Sequence, residues 1–203
     1  MEKCNNRRNL EIYFVRHGES YGNVDVEPKP EFKKDNPPLT SEGLRQAELL
    51  AVRFEKGDVD RIFASSLIRT AQTVHPVAHK LGLNIHILPD LMEVDTSIRG
   101  ADAEEFAAKT PLAVEGAVPP VGSVLPDGPE DEESRRLRAK KCIDYFLENF
   151  EGEKILVATH GTFYGYLMKY LLGQQLPEAF YIKVRNCSVT HVILTEGRAP
   201  ALN

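Results

Sequence analysis

An α/β fold, a three-layer αβα sandwich around a mostly parallel central sheet, is predicted by two observations. Short apolar runs of strand length alternate with segments of helical period from one end of the chain to the other. Parallel sheets of this kind need helices on both faces to bury them. The chain of 203 residues is also long enough for one sizeable core, so one domain spanning 1–203 is expected.

Residues 10–15 read as a buried strand. Thr40 is placed to cap a helix in which Leu44, Ala47, Ala51 and Phe54 recur at helical spacing. A second strand is expected over 61–64 and a helix over 68–81, with Pro76 inside it as a source of a lost hydrogen bond and a kink. A short strand follows at 84–88. The longest helix is expected over 129–150, where Glu130, Asp131, Glu132 and Glu133 precede Arg135, Arg136, Arg138, Lys140 and Lys141. That charge order suits the helix dipole and predicts a solvated face. A buried strand at 154–159, an apolar helix at 162–172 and a last strand at 189–195 close the pattern. The segments 24–38 and 110–128 are proline-rich and irregular, as lids or functional loops are.

Hydrophobic residues make up 42% and charged residues 27%, the balance of a globular protein, and the net charge is −5. An acidic chain argues against a nucleic-acid partner. No apolar run reaches the length of a membrane span, so no membrane partner is expected. Residues 1–9 are polar, read as a flexible tail, and lack the apolar core of a secretory signal. Cys4, Cys142 and Cys187 fit neither a disulfide framework nor a zinc pattern, which points to a cytoplasmic protein.

The chemistry is concentrated where strands end. The first strand runs into Arg16-His17-Gly18-Glu19-Ser20. Open α/β sheets bind ligands beyond the carboxyl ends of their strands. Gly18 would let the backbone turn and approach a ligand closely, and His17 is able to act as nucleophile or base. The second strand ends in Ser65-Ser66-Leu67-Ile68-Arg69-Thr70, which opens a helix and offers amides and Arg69 to an anion. The strand at 154–159 ends in Thr159-His160-Gly161-Thr162, again at a helix start, and Glu93 falls in the loop after the short strand. One polar strand end is ordinary. Several carrying phosphate-suited groups form a constellation.

These residues resemble the histidine phosphatase superfamily, also called the phosphoglycerate mutase-like family. The likeness runs through Arg16-His17-Gly18-Glu19-Ser20 with Asn23, Leu39-Thr40-Ser41-Glu42-Gly43 with Gln46-Ala47, and Ser65 to Thr73. It continues through Leu91-Met92-Glu93, Thr159-His160-Gly161 and Asn186-Cys187-Ser188-Val189. The resemblance implies a phosphatase acting on small phosphomonoesters. His17 would take up the phosphoryl group as a phosphohistidine. Arg16, Arg69 and His160 would surround its oxygens, with Asn23 and Gly161 as further phosphate contacts. Glu93 would protonate the leaving oxygen and then help deprotonate the attacking water, so it must carry a proton in the first step. Fixed positive charge from the arginines and His160 would do the work of a metal, so no metal or other cofactor is expected.

Where family members often continue past the catalytic acid with a glycine and a Trp-Glu-Gly run, this chain reads Val94-Asp95-Thr96-Ser97-Ile98-Arg99-Gly100. The Arg-x-Tyr-Gly typical of cofactor-dependent mutases is absent here, which favours water over a second substrate as acceptor. Lys29, Lys33, Lys34, Arg99 and Lys109 are candidates for meeting a second anionic group. Three alternatives stand beside the phosphatase: a cofactor-dependent phosphoglycerate mutase, a non-catalytic phospho-ligand scaffold, and a metal site built from His17, His160 and Glu93. Arginines beside those three side chains would repel a cation.

Overall fold

The computed structural model describes residues 9–25, 36–94, 113–114, 130–173, 182–195 and 199–202. Strand β1 (Asn9–Arg16) is followed by α1 (Ser41–Val52), β2 (Arg61–Ala64), α2 (Ile68–Leu81) and β3 (Ile85–Ile87). A 3-10 turn at Pro89–Leu91 leads on, and then come β4 (Ala113–Val114), α3 (Glu132–Asn149), β5 (Lys154–Thr159), α4 (Gly161–Leu171), β6 (Val189–Thr195) and β7 (Ala201–Leu202). The strands form one mixed sheet in the order β4-β3-β2-β5-β1-β6-β7. Strands β1 to β5 pair in parallel, while β6 runs antiparallel to β1 and β7 antiparallel to β6.

Period-two alternation assigns each central strand to two cores. Leu10, Ile12 and Phe14 of β1, Phe63 of β2 and Ile155 and Val157 of β5 face α3 and α4. Val15, Ile62, Ala64, Leu156 and Ala158 face α1 and α2 on the other side. Phe146, Phe150 and Tyr145 gather around Phe63 with ring centroids 5.1–5.7 Å apart in successive pairs. The sheet with helices on both faces is therefore the layered α/β architecture expected.

Helix boundaries follow local chemistry. Thr40 caps α1 by accepting the Gly43 N–H, and Asp131 caps α3 by accepting from Ser134. Gly82 ends α2 in the left-handed conformation at φ 70°. Pro76 sits inside α2, which continues unbroken to Leu81 with only the one donor lost.

Several expectations need correction. Leu44 is 48% exposed, because Gly43, Ala47, Leu50 and Ala51 form the buried stripe of α1. Asn9, expected in a flexible tail, is the first residue of β1, while residues 1–8 lie outside those described. Ala113–Val114 forms a strand inside the segment expected to be irregular, and β7 lies beyond the strand expected to be last. The charge run of α3 is not uniformly solvated, since Arg138 and Glu130 are buried. Most of 24–38 and 110–128, and Lys29, Lys33, Lys34, Arg99 and Lys109, lie outside the described residues. Among the described residues no helix is long and apolar enough to cross a membrane.

The start of α1 is pressed against the segment after His17. Glu19 O accepts from Thr40 N at 2.9 Å, and Thr40 Oγ1 donates to the Glu19 carboxylate at 2.8 Å. A Cβ added at Gly43 would lie 1.9 Å from the Glu19 carbonyl oxygen, and one at Gly18 would lie 2.8 Å from the Gly43 carbonyl oxygen. Gly18 is not in a positive-φ conformation, so its missing side chain serves this backbone contact instead of a turn. Gly43→Ala is expected to destabilise the protein by about 1–3 kcal/mol, as overpacking against backbone does. Urea denaturation checks this; an unchanged midpoint would contradict the contact.

Candidate active site

Strand order creates the site. Because β5 lies between β1 and β2, the ends of three adjacent strands meet at one sheet edge. Arg16 pairs in register with Thr159, and Ala64 with Ala158. The ladder extends one step further on each side: His17 N donates to Thr159 O at 3.0 Å and Ser65 N to Ala158 O at 3.3 Å. His17, Ser65 and His160 thus leave the sheet at the same level.

His17 is 3% exposed, and its Nδ1 lies 2.7 Å from the Gly18 carbonyl oxygen. A carbonyl only accepts, so Nδ1 carries the proton and Nε2 presents its lone pair. Arg69 Nε donates to that Nε2 at 3.2 Å. Burial, chiefly, and then the Arg69 guanidinium push the His17 pKa from 6.5 down to about 3. The ring is neutral at pH 7. Its loop is fixed by Gly18 N donating to Thr73 Oγ1 at 2.8 Å and by Asn186 Nδ2 donating to His17 O at 2.9 Å.

The groups around Nε2 are donors. Arg16 is anchored through Nη1 to Val184 O at 2.7 Å, leaving its Nε buried without a protein partner. Arg69 is 8% exposed, and burial lowers its pKa to about 10 while Glu93 opposes the shift. Its Nη1 is likewise buried and unpartnered. His160 is fully buried, with its ring centroid 5.1 Å from that of His17. Its Nε2 contacts Ser65 Oγ at 2.7 Å and its Nδ1 has no partner. Ser65 Oγ already accepts the Leu67 N–H, and Thr70 sends its own proton to Leu67 O at 2.7 Å. The Ser65 hydroxyl thus links His160 Nε2 to Thr70 Oγ1, which lies 3.1 Å away on its other side.

Burial first, then Arg69, His17, Arg138 and Arg16, push the His160 pKa well below 6.5. His160 is thus neutral at pH 7, in contrast to the cation expected from sequence. Unpaired buried donors cost roughly 1–3 kcal/mol each. Two such donors, Arg16 Nε and Arg69 Nη1, belong to guanidinium groups that both act on His17, and fixed donors of this kind suit an anion.

Glu93 follows the 3-10 turn and meets the start of α4. Its Oε1 accepts from Val94 N at 3.0 Å and Phe163 N at 2.9 Å, and Oε2 accepts from Thr162 N at 3.1 Å. Gly161 opens α4 directly after His160. Asn23 is exposed, and its Oδ1 accepts from Ser20 N, Ser20 Oγ and Asn186 Nδ2 at 3.1–3.3 Å. The geometry thus shows Asn23 bracing the loop. Thr73 and Val184 were not singled out from sequence. Thr73 lies one helical turn after Arg69 and accepts from Gly18, whereas no local pattern marks a carbonyl such as that of Val184.

A buried neutral His17 couples the site to stability. Its proton is lost near pH 3 when folded and near 6.5 when unfolded, so between these values the unfolded chain holds more protons. The contribution is full above 6.5 and declines as pH falls toward 3. His17→Asn should therefore lose about 2 kcal/mol less stability than the parent between pH 8 and pH 5. Parallel stability curves in urea titrations across that range would contradict the burial argument.

A model of the histidine phosphatase superfamily (branch 1) matches residues 12–202. "Probable phosphoglycerate mutase GpmB" of Yersinia pestis (strain Pestoides F) is 32% identical over 196 residues, covering 93% of this chain and 86% of that protein. Two solved structures share the fold. Bacillus stearothermophilus YhfR superposes with a TM-score of 0.68 at 22% identity, over 95% of each chain. Phosphoserine phosphatase from Entamoeba histolytica, in complex with 3-phosphoglyceric acid, gives 0.63 at 20% identity, over 96% of this chain and 95% of that one. With the match extending from within β1 to the end of β7, the chain belongs to the histidine phosphatase superfamily, branch 1.

Proposed function

We propose that this enzyme hydrolyses small phosphomonoesters through a phosphohistidine on Nε2 of His17, without a metal ion. One observation carries the reading: three unpartnered buried nitrogens, on Arg16, Arg69 and His160, belong to side chains close to a histidine whose Nε2 lone pair is already oriented. In the first step Nε2 bonds to phosphorus, the ester P–O bond breaks, and Glu93 gives its proton to the leaving oxygen. In the second, water attacks phosphorus, its proton passes to Glu93, and the N–P bond breaks to release phosphate. Oε2 of Glu93 is suited to carry that proton, since it accepts only one backbone N–H where Oε1 accepts two. The two guanidinium groups stabilise the charge of the transferring group with little reorganisation.

The substrate class agrees with neighbours named for phosphoserine and 3-phosphoglyceric acid. A mutase reading has one specific observation in its favour, the name carried by the 32% identical relative. It would need a second phosphorylated substrate to replace water.

The decisive experiment measures hydrolysis of p-nitrophenyl phosphate in EDTA. Activity should persist, His17→Ala should abolish it, and Arg69→Ala should lower kcat by about 10²–10³-fold. Quenching in alkaline detergent during turnover should trap an alkali-stable phosphoryl group that acid then releases and that is absent in His17→Ala. Full activity in either variant would overturn the reading. Interconversion of 3- and 2-phosphoglycerate dependent on a bisphosphate primer, at rates above hydrolysis, would establish the mutase instead.

A further inference from the structure

Behind the phosphate-facing cluster lies a buried ion pair that the chemistry above does not use. Arg138 of α3 has no exposed surface, and Glu130 is 7% exposed. Neighbouring bases on the same helix, Arg136 and Lys140, keep about half of their side chains in solvent. Arg138 Nε and Nη2 donate to the two Glu130 carboxylate oxygens at 2.7 and 2.6 Å. A buried pair of this kind is weak evidence for stability, because apolar residues of similar volume often do as well. The remaining contacts of Arg138 show a more specific task.

Arg138 Nη1 donates to Asp90 O at 2.8 Å and to Met92 O at 2.7 Å. The Met92 carbonyl belongs to the planar peptide that leads into Glu93, so holding it sets the plane from which the catalytic carboxyl is mounted. The face of the same guanidinium stacks on the Phe163 ring, 3.8 Å from its centroid. Phe163 in turn supplies the N–H that Glu93 Oε1 accepts at 2.9 Å. Thr159 Oγ1 donates to Leu91 O at 2.9 Å, so the carbonyls of Asp90, Leu91 and Met92 are all held from within the core. One rigid planar group thus touches both the chain that carries Glu93 and the residue whose amide orients it.

We propose that Arg138, held in place by Glu130, is a positioning residue for Glu93 and thereby for proton delivery to the leaving oxygen. The role rests on the reading of Glu93 as the proton donor. Lysine cannot reproduce it, because a point charge with three donors cannot pair bidentately with Glu130, reach both carbonyls and stack on Phe163 together.

A leaving-group series tests the proposal. kcat/KM reports the steps up to phosphoryl transfer to His17. It is measured for 2,4-dinitrophenyl phosphate, whose leaving group needs no proton, and for an alkyl phosphate, whose leaving group does. Arg138→Lys and Glu130→Gln should each lower kcat/KM for the alkyl ester by about 10²-fold while staying within about 3-fold of the parent on the dinitrophenyl ester. Arg138→Met should show the same split more strongly where it folds. Inhibition by inorganic phosphate should be unchanged, since Arg16 and Arg69 are left intact. Equal losses on both esters, or no loss in either variant, would overturn the positioning role. Glu93→Gln separates the two readings. If it lacks the split, the proton-donor reading fails; if it shows the split and Arg138→Lys does not, only the positioning role fails.

Discussion

The hydrogen bond from His17 Nδ1 to the Gly18 carbonyl oxygen decides which ring nitrogen faces the arginines. Without it the proton of the neutral imidazole would be free to sit on Nε2 and block that nitrogen. The bond depends on the loop holding its shape. That shape comes from Thr73 on α2, Asn186 before β6 and the close approach of Gly18 to Gly43 on α1. Two helices of one face and the loop before β6 therefore converge on one proton.

Around that lone pair the structure places charge without neutralising it. Arg16 and Arg69 are near each other, and each depresses the pKa of His17. Glu93 partly balances Arg69 but spends its oxygens on backbone amides at the start of α4. A helix N-terminus suits a carboxylate, and here it leaves the guanidinium nitrogens directed elsewhere. The division resembles that of a half-built salt-bridge network in which an incoming anion is the missing member.

Much of this was legible in the sequence. Arg16, His17, Arg69 and His160 stand where apolar strands end, and such residues are poor core material, so their type and spacing pointed to one edge. Strands β2 and β5 and helix α2 have the bounds that periodicity predicts. Strands β4 and β7 were not legible, since two residues carry no period. Leu44 misled because a single apolar residue shifts the apparent stripe of a helix. Arg138 was hidden for a different reason. In sequence it is one base among several, and only the docking of α3 against the Pro89–Leu91 turn and the ring of Phe163 removes it from water. The neutrality of His160 was equally out of reach, because it comes from burial and from three arginines that only the fold gathers around it.

The unsatisfied guanidinium nitrogens of Arg16 and Arg69 also bear on how the folded state responds to its surroundings. An anion that completes their hydrogen bonds binds the native chain and not the unfolded one. By mass action, stability then rises with the logarithm of its concentration once the site begins to fill. Inorganic phosphate, the product of the proposed reaction, is such an anion. Under that reaction, surroundings rich in inorganic phosphate would hold this protein more firmly folded while slowing its turnover, so that endurance and activity answer in opposite directions to the same small molecule.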